Sequence, residues 1–398
     1  MNFFAGTFPY SPYQFSLWRI LFGSFLTFYS ARTLPYVTEL YSDSGIFTIA
    51  PQQLFFGNLF ALSRSPELVL AASIVMFFAA ICITVGYYRR IAALVYWYLM
   101  ISLFNLNPLT EDPSQPYIGL LLILLVLIPT GEPLSVGRKL SPSHTWRMPT
   151  PAYFIALLAL GVGYSLSGLD KLNAPGFWSG DALFFILHSA IVFDSWLREL
   201  LLALPTFILQ FISWFIAWSM LFTLPLLLWW RTRSYIWLTL FLMFVGVLII
   251  FDLAQVALGM LLFKLFLFDA RCVPPKASPT GTTLYYDTTC NLCHAYVGFS
   301  ESEDKEGQLS YQSIYKRRDG DGDPQSIILN TDGKELLKSD AVLMHWSQLG
   351  GWWRLIAVIA AFVPHALRDG AYDYVAHRRY RWFGRYGQSA TENKKLKP

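Results

Sequence analysis

Thr283-Leu-Tyr-Tyr-Asp-Thr-Thr-Cys-Asn-Leu-Cys-His-Ala-Tyr-Val-Gly-Phe299 is the stretch that decides how the last third of this chain folds. Its first five residues are β-branched, aromatic or aliphatic up to Asp287, which suits a strand. Asn291 to Ser302 suits a helix. Between them stands Cys290-Asn-Leu-Cys293, so a strand leads into a C-x-x-C pair that opens a helix. A thiolate is the nucleophile of disulfide exchange, and its pKa falls at a helix N-terminus. Cys293 lies one turn after Cys290, close enough to close a disulfide. Cys290 is therefore the candidate attacking thiol, Cys293 the resolving thiol, and Asp287 a candidate proton shuttle or helix cap.

Working outward, Gln325–Asn330 reads as a second strand, ended by the turn Thr331-Asp332-Gly333. Ser339–Leu349 reads as a helix. Gly351–Val363 is apolar but too short to cross a bilayer; it suits packing on the α/β core or lying on a membrane surface. Pro364–Gly384 is a basic, aromatic helix whose Arg378, Arg379, Arg381 and Arg385 suit either anionic headgroups or a solvated face. Residues 388–398 read as a disordered tail. Strand, motif, helix, then further strands and helices is an α/β pattern. Upstream, Arg271–Thr282 carries Pro274-Pro275, Pro279 and Gly281 and reads as a linker.

The preceding 270 residues are of another kind. The chain of 398 residues is 55% hydrophobic and only 14% charged. Of its charged residues, 26 lie in 1–271 and 30 in the much shorter remainder. That shift marks a domain boundary. Apolar runs recur at Tyr13–Ser30, Glu67–Gly86, Ile91–Asn105, Tyr117–Pro129, Pro151–Leu169, Pro205–Trp230 and Tyr235–Phe268. The last exceeds one span and carries Asp252 near its middle, so it is read as two segments joined near Phe251-Asp252. The expectation is an α-helical polytopic membrane domain of about eight spans. The N-terminus lacks the basic region and cleavage site of a removable signal peptide.

Lys and Arg in alternate turns set the expected orientation. Arg89-Arg90, then Arg138, Lys139 and Arg147, then Arg231 and Arg233 mark the cytoplasmic side. Both termini and the C-terminal domain then lie in the cytoplasm of a bacterial inner-membrane protein, with Asp170–Glu199 outside. A net charge of +4 is too small to argue for nucleic acid, so membrane lipid is the expected partner. Cys82, in an apolar run, reads as an inert thiol.

Two metal-centred readings of the cysteine pair compete with disulfide exchange. No second Cys or His pair with zinc spacing follows it. His294 completes Cys-x-x-Cys-His, the attachment signature of c-type haem, but that chemistry needs an outward-facing domain and the expected orientation places this one inside. Asp319-Gly-Asp-Gly-Asp323 begins like a calcium loop, but Asn330 stands where the closing Glu belongs; it reads as a polar loop.

The segment Tyr285–Phe299 resembles the DCC family of predicted thiol-disulfide oxidoreductases, whose pattern is Asp-Gly-x-Cys-x-x-Cys followed by Val and Phe. Asp287, Cys290, Cys293, Val297 and Phe299 match, while Thr288 stands in place of Gly. Tyr374-Val-Ala-His-Arg-Arg-Tyr-Arg-Trp-Phe-Gly384 resembles the family's closing block. The resemblance implies a thioredoxin-like fold for residues 283–387, acting on an unknown thiol or disulfide protein partner.

A second resemblance concerns the membrane half. Ser167-Gly-Leu-Asp-Lys-Leu172, followed by Trp178 and Gly180, is similar to a block of the HTTM domain, the membrane core shared with vitamin K-dependent gamma-carboxylase. It implies Lys171 as a base and a lipidic or quinone-type pocket; the carboxylase's lumenal domain is absent. Three functions thus stand as expectations: a membrane-bound thiol-disulfide oxidoreductase with possible quinone coupling, a carboxylase-like modifying enzyme with regulatory thiols, or a non-enzymatic membrane protein with a redox sensor.

Overall fold

The computed structural model describes residues 10–46, 57–136, 146–277, 281–304, 307–316 and 326–386. The chain divides into two compact units, one built on Phe15–Arg138 and Trp146–Phe268, the other on Asp269–Pro398 together with Pro9–Gln14. The tail 388–398, the acidic loop Asp319–Asp323 and the basic pair Arg138-Lys139 lie outside the described residues.

The first unit is helical: α1 Pro12–Thr33, α2 Pro66–Val85, α3 Arg89–Phe104, α4 Gln115–Leu127, α5 Thr150–Asn173, α6 Thr206–Leu221, α7 Arg233–Ile250 and α8 Ala254–Phe266. Its helix ends follow local chemistry. At the start of α2, Ser65 accepts from the Leu68 N–H and Pro66 occupies the first helical turn; Gly86 ends the helix in the left-handed region at φ 75°. Helices stand near each expected run, but eight spans are not confirmed. Among the described residues, α2, α5 and α7 are each long and apolar enough to cross a membrane, giving three, or up to five if each of two bent helix pairs is one span. One pair is Trp196–Leu202 with α6, bent by 104°. Helices α3, α4 and α8 hold 16, 13 and 13 residues, short of a bilayer core. The run Pro205–Trp230 breaks at Phe222.

The break inside Tyr235–Phe268 falls where the sequence places it, at Phe251–Leu253 between α7 and α8. Unpaired backbone among apolar helices is costly. Here it is satisfied: Asp252 N–H donates to Ile191 O at 2.8 Å and Phe193 N–H to Ile250 O at 3.0 Å. Asp252 thus sits at a paired junction. Arg89 is buried rather than in a basic loop; its Nε donates to Glu132 at 2.8 Å, and Arg19 Nε stands 3.5 Å from the same carboxylate. Cys82 is half-buried and free.

The second unit is a small α/β fold. Strands β1 Thr283–Tyr286, β2 Ser310–Ser313, β3 Ile328–Thr331 and β4 Lys334–Leu337 form one sheet in the order β2-β1-β3-β4. β1 runs parallel to β2 and antiparallel to β3, and β3 is antiparallel to β4. The parallel pair needs a crossover, and α9, Asn291–Glu303, supplies it. Helices α10 Lys338–Leu349, α11 Gly351–Ala361 and α12 His365–Phe383 follow. β3 and β4 meet through Asp332 and Gly333, both at positive φ (53° and 70°). That conformation suits a tight hairpin and favours Asp-Gly. Leu284 (β1), Val297 (α9), Leu329 (β3) and Ala341 (α10) form the core.

The stretch expected to be a linker is bonded into this unit. Lys276 N–H donates to Ser347 O and Gly351 N–H to Val273 O, both at 2.8 Å. Helix α11 buries Trp353 and Ala357 while Val358, Ile359 and Phe362 stay exposed, so it packs by one face. Helix α12 packs on α9 and α10; the α11–α12 pair, bent by 118°, is the second that could count as a span, and these contacts place it in the α/β unit.

Candidate active site

Cys290 is the N-cap residue of α9, in extended conformation at the end of the β1 loop. Its sulfur makes no conventional cap hydrogen bond. Nonetheless the Cys293 thiol, and then the backbone N–H groups of Cys293 and Leu292, face it closely enough to act on its charge. The Cys293 thiol hydrogen bond is the largest influence and, with those N–H groups and the Arg379 guanidinium, overcomes burial to lower Cys290 from 9.0 to about 6. Cys293 is pushed far the other way, chiefly by that same hydrogen bond and by burial. The pair therefore shares charge unequally: Cys290 is the member that forms the thiolate, and Cys293 stays a thiol.

Asp287 lies buried at the end of β1. Its Oδ1 accepts from the Thr289 N–H at 2.8 Å and the Thr289 hydroxyl at 2.7 Å, and its Oδ2 from Arg379 Nη2 at 2.8 Å and from the Tyr380 hydroxyl. Burial alone would raise this carboxyl; the bonds from Tyr380, Thr289 and Arg379 outweigh it and hold it at about 2. Asp287 thus keeps its charge through the neutral range. Its bonds make Asp287 a counter-charge to Arg379 and a turn-former, and the N-cap position of α9 belongs to Cys290.

Arg379 is the residue that sequence reasoning misplaced. The sequence offers it either to anionic headgroups or to a solvated helix face, yet it is 4% exposed and points from α12 onto Asp287. The signal was its place in the closing block resembling the DCC family. With Asp287, Leu292, Cys293, Tyr296, Ile327 and Tyr372 among others, Arg379 lines a cavity of about 170 Å³. A larger cavity of about 310 Å³, at Glu303, Gln348 and Trp352, contains neither cysteine. Nearby, the Tyr296 hydroxyl and His345 Nδ1 lie 2.6 Å apart, and burial lowers His345 to about 4.

His294, the residue that completes the haem-type signature, has Nε2 2.8 Å from Thr288 O and stacks on Tyr386 with ring centroids 3.6 Å apart. Among the described residues no group of three or more His, Cys, Asp or Glu is placed to hold a metal ion.

Lys171 belongs to the first unit, near the end of α5. Its Nζ bonds Ser167 at 3.0 Å and lies 5.8 Å from the Phe177 ring. The fully buried lysine of that unit is Lys264, which the sequence reading did not single out. Its Nζ donates to the Tyr164 hydroxyl at 2.7 Å and sits 3.8 Å from the Phe244 ring centre.

A helix-capped dithiol at the end of the first strand of a four-stranded α/β unit defines a class of thiol-active protein. Residues 284–385 match the model of the DCC1-like thiol-disulfide oxidoreductases. The uncharacterised protein YuxK of Bacillus subtilis (strain 168) is 32% identical over 123 residues, covering 29% of this chain and 89% of YuxK. A chloroplastic DCC family protein of Arabidopsis thaliana is 28% identical over 111 residues, 26% of this chain and 64% of that protein. No solved structure matches. The chain belongs to the DCC1-like thiol-disulfide oxidoreductase family.

A pH test follows from the unequal pair. Alkylation of reduced Cys290 is expected to rise through about pH 6 and level off above pH 7, where an ordinary thiol would still climb toward 9. The sign carries over to stability. A thiol whose folded pKa is depressed stabilises the reduced fold fully above its unfolded pKa, and that contribution is lost as pH falls toward 6. A profile with its midpoint near 9 would sink this assignment.

Proposed function

We propose that the chain is a membrane-associated thiol-disulfide oxidoreductase in which Cys290 attacks and Cys293 resolves, within a thioredoxin-like unit. The observation that carries this is the placement of Cys290 as the N-cap residue of α9 at the end of the β1 loop, with Cys293 inside the first turn of that helix and lining a cavity with Arg379. The Cys290 thiolate attacks one sulfur of a partner disulfide, forming a mixed disulfide and releasing the partner's other sulfur as thiolate. Cys290 then no longer carries the charge that held Cys293 protonated, and Arg379 favours the second thiolate. Cys293 gives its proton to the released partner thiolate through water and attacks the Cys290 sulfur, and the partner's second sulfur leaves as a thiolate that takes a proton from water. The partner leaves as a dithiol and Cys290–Cys293 closes as a disulfide, so two electrons pass to the partner. The reverse sequence oxidises a partner dithiol.

The apolar helices of the first unit serve as the membrane anchor in this reading, with lipid as their surroundings and the exposed apolar side of α11 as a further lipid contact. An HTTM-like chemistry at Lys171, coupled to a quinone, is not part of it: the contacts of Lys171 are with Ser167 and Phe177, within a short stretch of chain. Stabilising the reduced form by a thiolate makes a dithiol more oxidising. A redox titration of the full chain in detergent, read by the mass added by a thiol reagent, is therefore expected to give one two-electron transition with a midpoint more positive than about −270 mV, the thioredoxin value. Cysteines that stay fully labelled across all glutathione ratios would refute the proposal.

A further inference from the structure

Cys290 presents a contradiction for an attacking thiol: it has no solvent-exposed surface. What runs beside it is a short piece of the same chain. Gly384 ends α12 at φ 79°, and the next two residues turn back along the motif loop. Cys290 and Arg385 form an antiparallel bridge. Tyr386 N–H donates to Thr289 O at 2.9 Å, and Asn291 N–H to Gly384 O at 3.4 Å. The Asn291 side chain adds a bond to Phe383 O at 2.9 Å, and the Tyr386 ring stacks on His294.

The hold is slight. Arg385 and Tyr386 are themselves exposed, the pairing is two backbone bonds long, and the left-handed Gly384 is a natural pivot. Backbone edges of this kind are what extended peptides recognise: main-chain bonds supply affinity and flanking pockets supply specificity. A strand already seated there has the geometry a partner strand would need.

We infer that Gly384–Tyr386 occupies the docking place of the partner, and that the partner is an extended polypeptide segment bearing a disulfide. That segment displaces the strap, pairs antiparallel with Thr289–Asn291 and so brings its disulfide sulfur onto Cys290. The inference rests on Cys290 being the attacking thiol, and it deepens that reading by naming the substrate class. A small disulfide gains nothing from strand pairing, so the two kinds of substrate separate the idea from simple gating.

The test compares the full chain, a chain ending at Phe383, and Tyr386→Ala, which removes the ring on His294. Each is purified in detergent and reacted with two probes. One is an unstructured peptide whose single cysteine carries thionitrobenzoate as a mixed disulfide; the other is the same mixed disulfide of glutathione. Removal of the strap is expected to speed the peptide by about tenfold or more relative to glutathione, as expected when a weakly held local segment must open first. Tyr386→Ala should move both rates in the same order with a smaller effect. Equal acceleration of the two probes, or rates within twofold of the full chain in both variants, overturns the inference. If the truncated chain loses its thiolate titration near pH 6, the fold has been damaged and Tyr386→Ala decides by the same criterion. If the full chain shows neither that titration nor reaction with either probe, it is the oxidoreductase reading that has failed.

Discussion

An Asp287→Ala chain is expected to lose about 3–5 kcal/mol of stability in its C-terminal unit, the usual cost of removing one partner from a buried ion pair. The figure follows from what is left behind. Asp287 and Arg379 have side chains 2% and 5% exposed, so the guanidinium cannot turn to water without moving α12. The Thr289 N–H and the Tyr380 hydroxyl lose an acceptor in the same stroke. Total stabilities of small domains are about 5–15 kcal/mol, so the loss brings the unit close to unfolding. Asp287→Asn keeps the shape and an acceptor for Thr289 but not the charge, and should fall between. Asp287→Ala combined with Arg379→Met removes the stranded charge and should recover part of the loss. Hydrogen exchange across β1 and β3 measures each step; a single-variant loss below about 1 kcal/mol would contradict the buried-pair account. The pH dependence has a fixed sign. The Asp287 pKa is lowered from 3.8 to about 2, so its contribution is complete above about pH 4 and disappears as pH falls toward 2.

This network also marks the limit of what the sequence reveals. The strand, the cysteine pair and the helix after it were legible because each is a local signal: aromatic and β-branched residues up to Asp287, then C-x-x-C, then a helix-compatible run. The turn at Asp332-Gly333 was legible for the same reason. Strands β2 and β4 were not. Ser-Tyr-Gln-Ser and Lys-Glu-Leu-Leu are four residues long, lie at the two sheet edges and are partly exposed, so neither periodicity nor composition separates them from loop. Arg379 was hidden in another way. Of several basic residues on one helix, the one that turns inward is chosen by a carboxylate 92 positions earlier in the chain. In the first unit, apolar runs reported where helices form and Asp252 marked one break, but the break at Phe222 inside Pro205–Trp230 carried no such signal. Arg89, counted as a loop charge, is instead buried against Glu132. Charge counting assumes that loop cations face water, and a buried pair violates that assumption.

The largest effect on activity is expected from Cys290→Ser, which should lower disulfide exchange by on the order of 10³ or more, as removal of a catalytic nucleophile does. A serine hydroxyl is not ionised at neutral pH, so the helix N-terminus and Arg379 have no thiolate left to stabilise. Cys293 does not take over: it lies inside α9 without the N-cap position that Cys290 holds, and burial still favours its thiol form. Cys293 substitutions should behave differently and differ from one another. Cys293→Ser and Cys293→Ala both leave the first attack possible and remove the resolving thiol, so each should accumulate a mixed disulfide visible by mass. Serine retains a donor toward Cys290 where alanine does not. Because the Cys293 hydrogen bond is the largest influence lowering Cys290, the alkylation midpoint should climb from about 6 toward 9 in Cys293→Ala and move less in Cys293→Ser. Two alternatives can be recognised by their own patterns. If Cys290→Ser keeps its exchange activity while Cys293→Ser loses it, the roles of the two thiols are reversed and attack comes from the cavity shared with Arg379. If both cysteine variants leave every activity of the membrane-bound chain intact, the pair is not a catalyst, and a sensing role for the same thiolate becomes the better account of why the fold lowers its pKa.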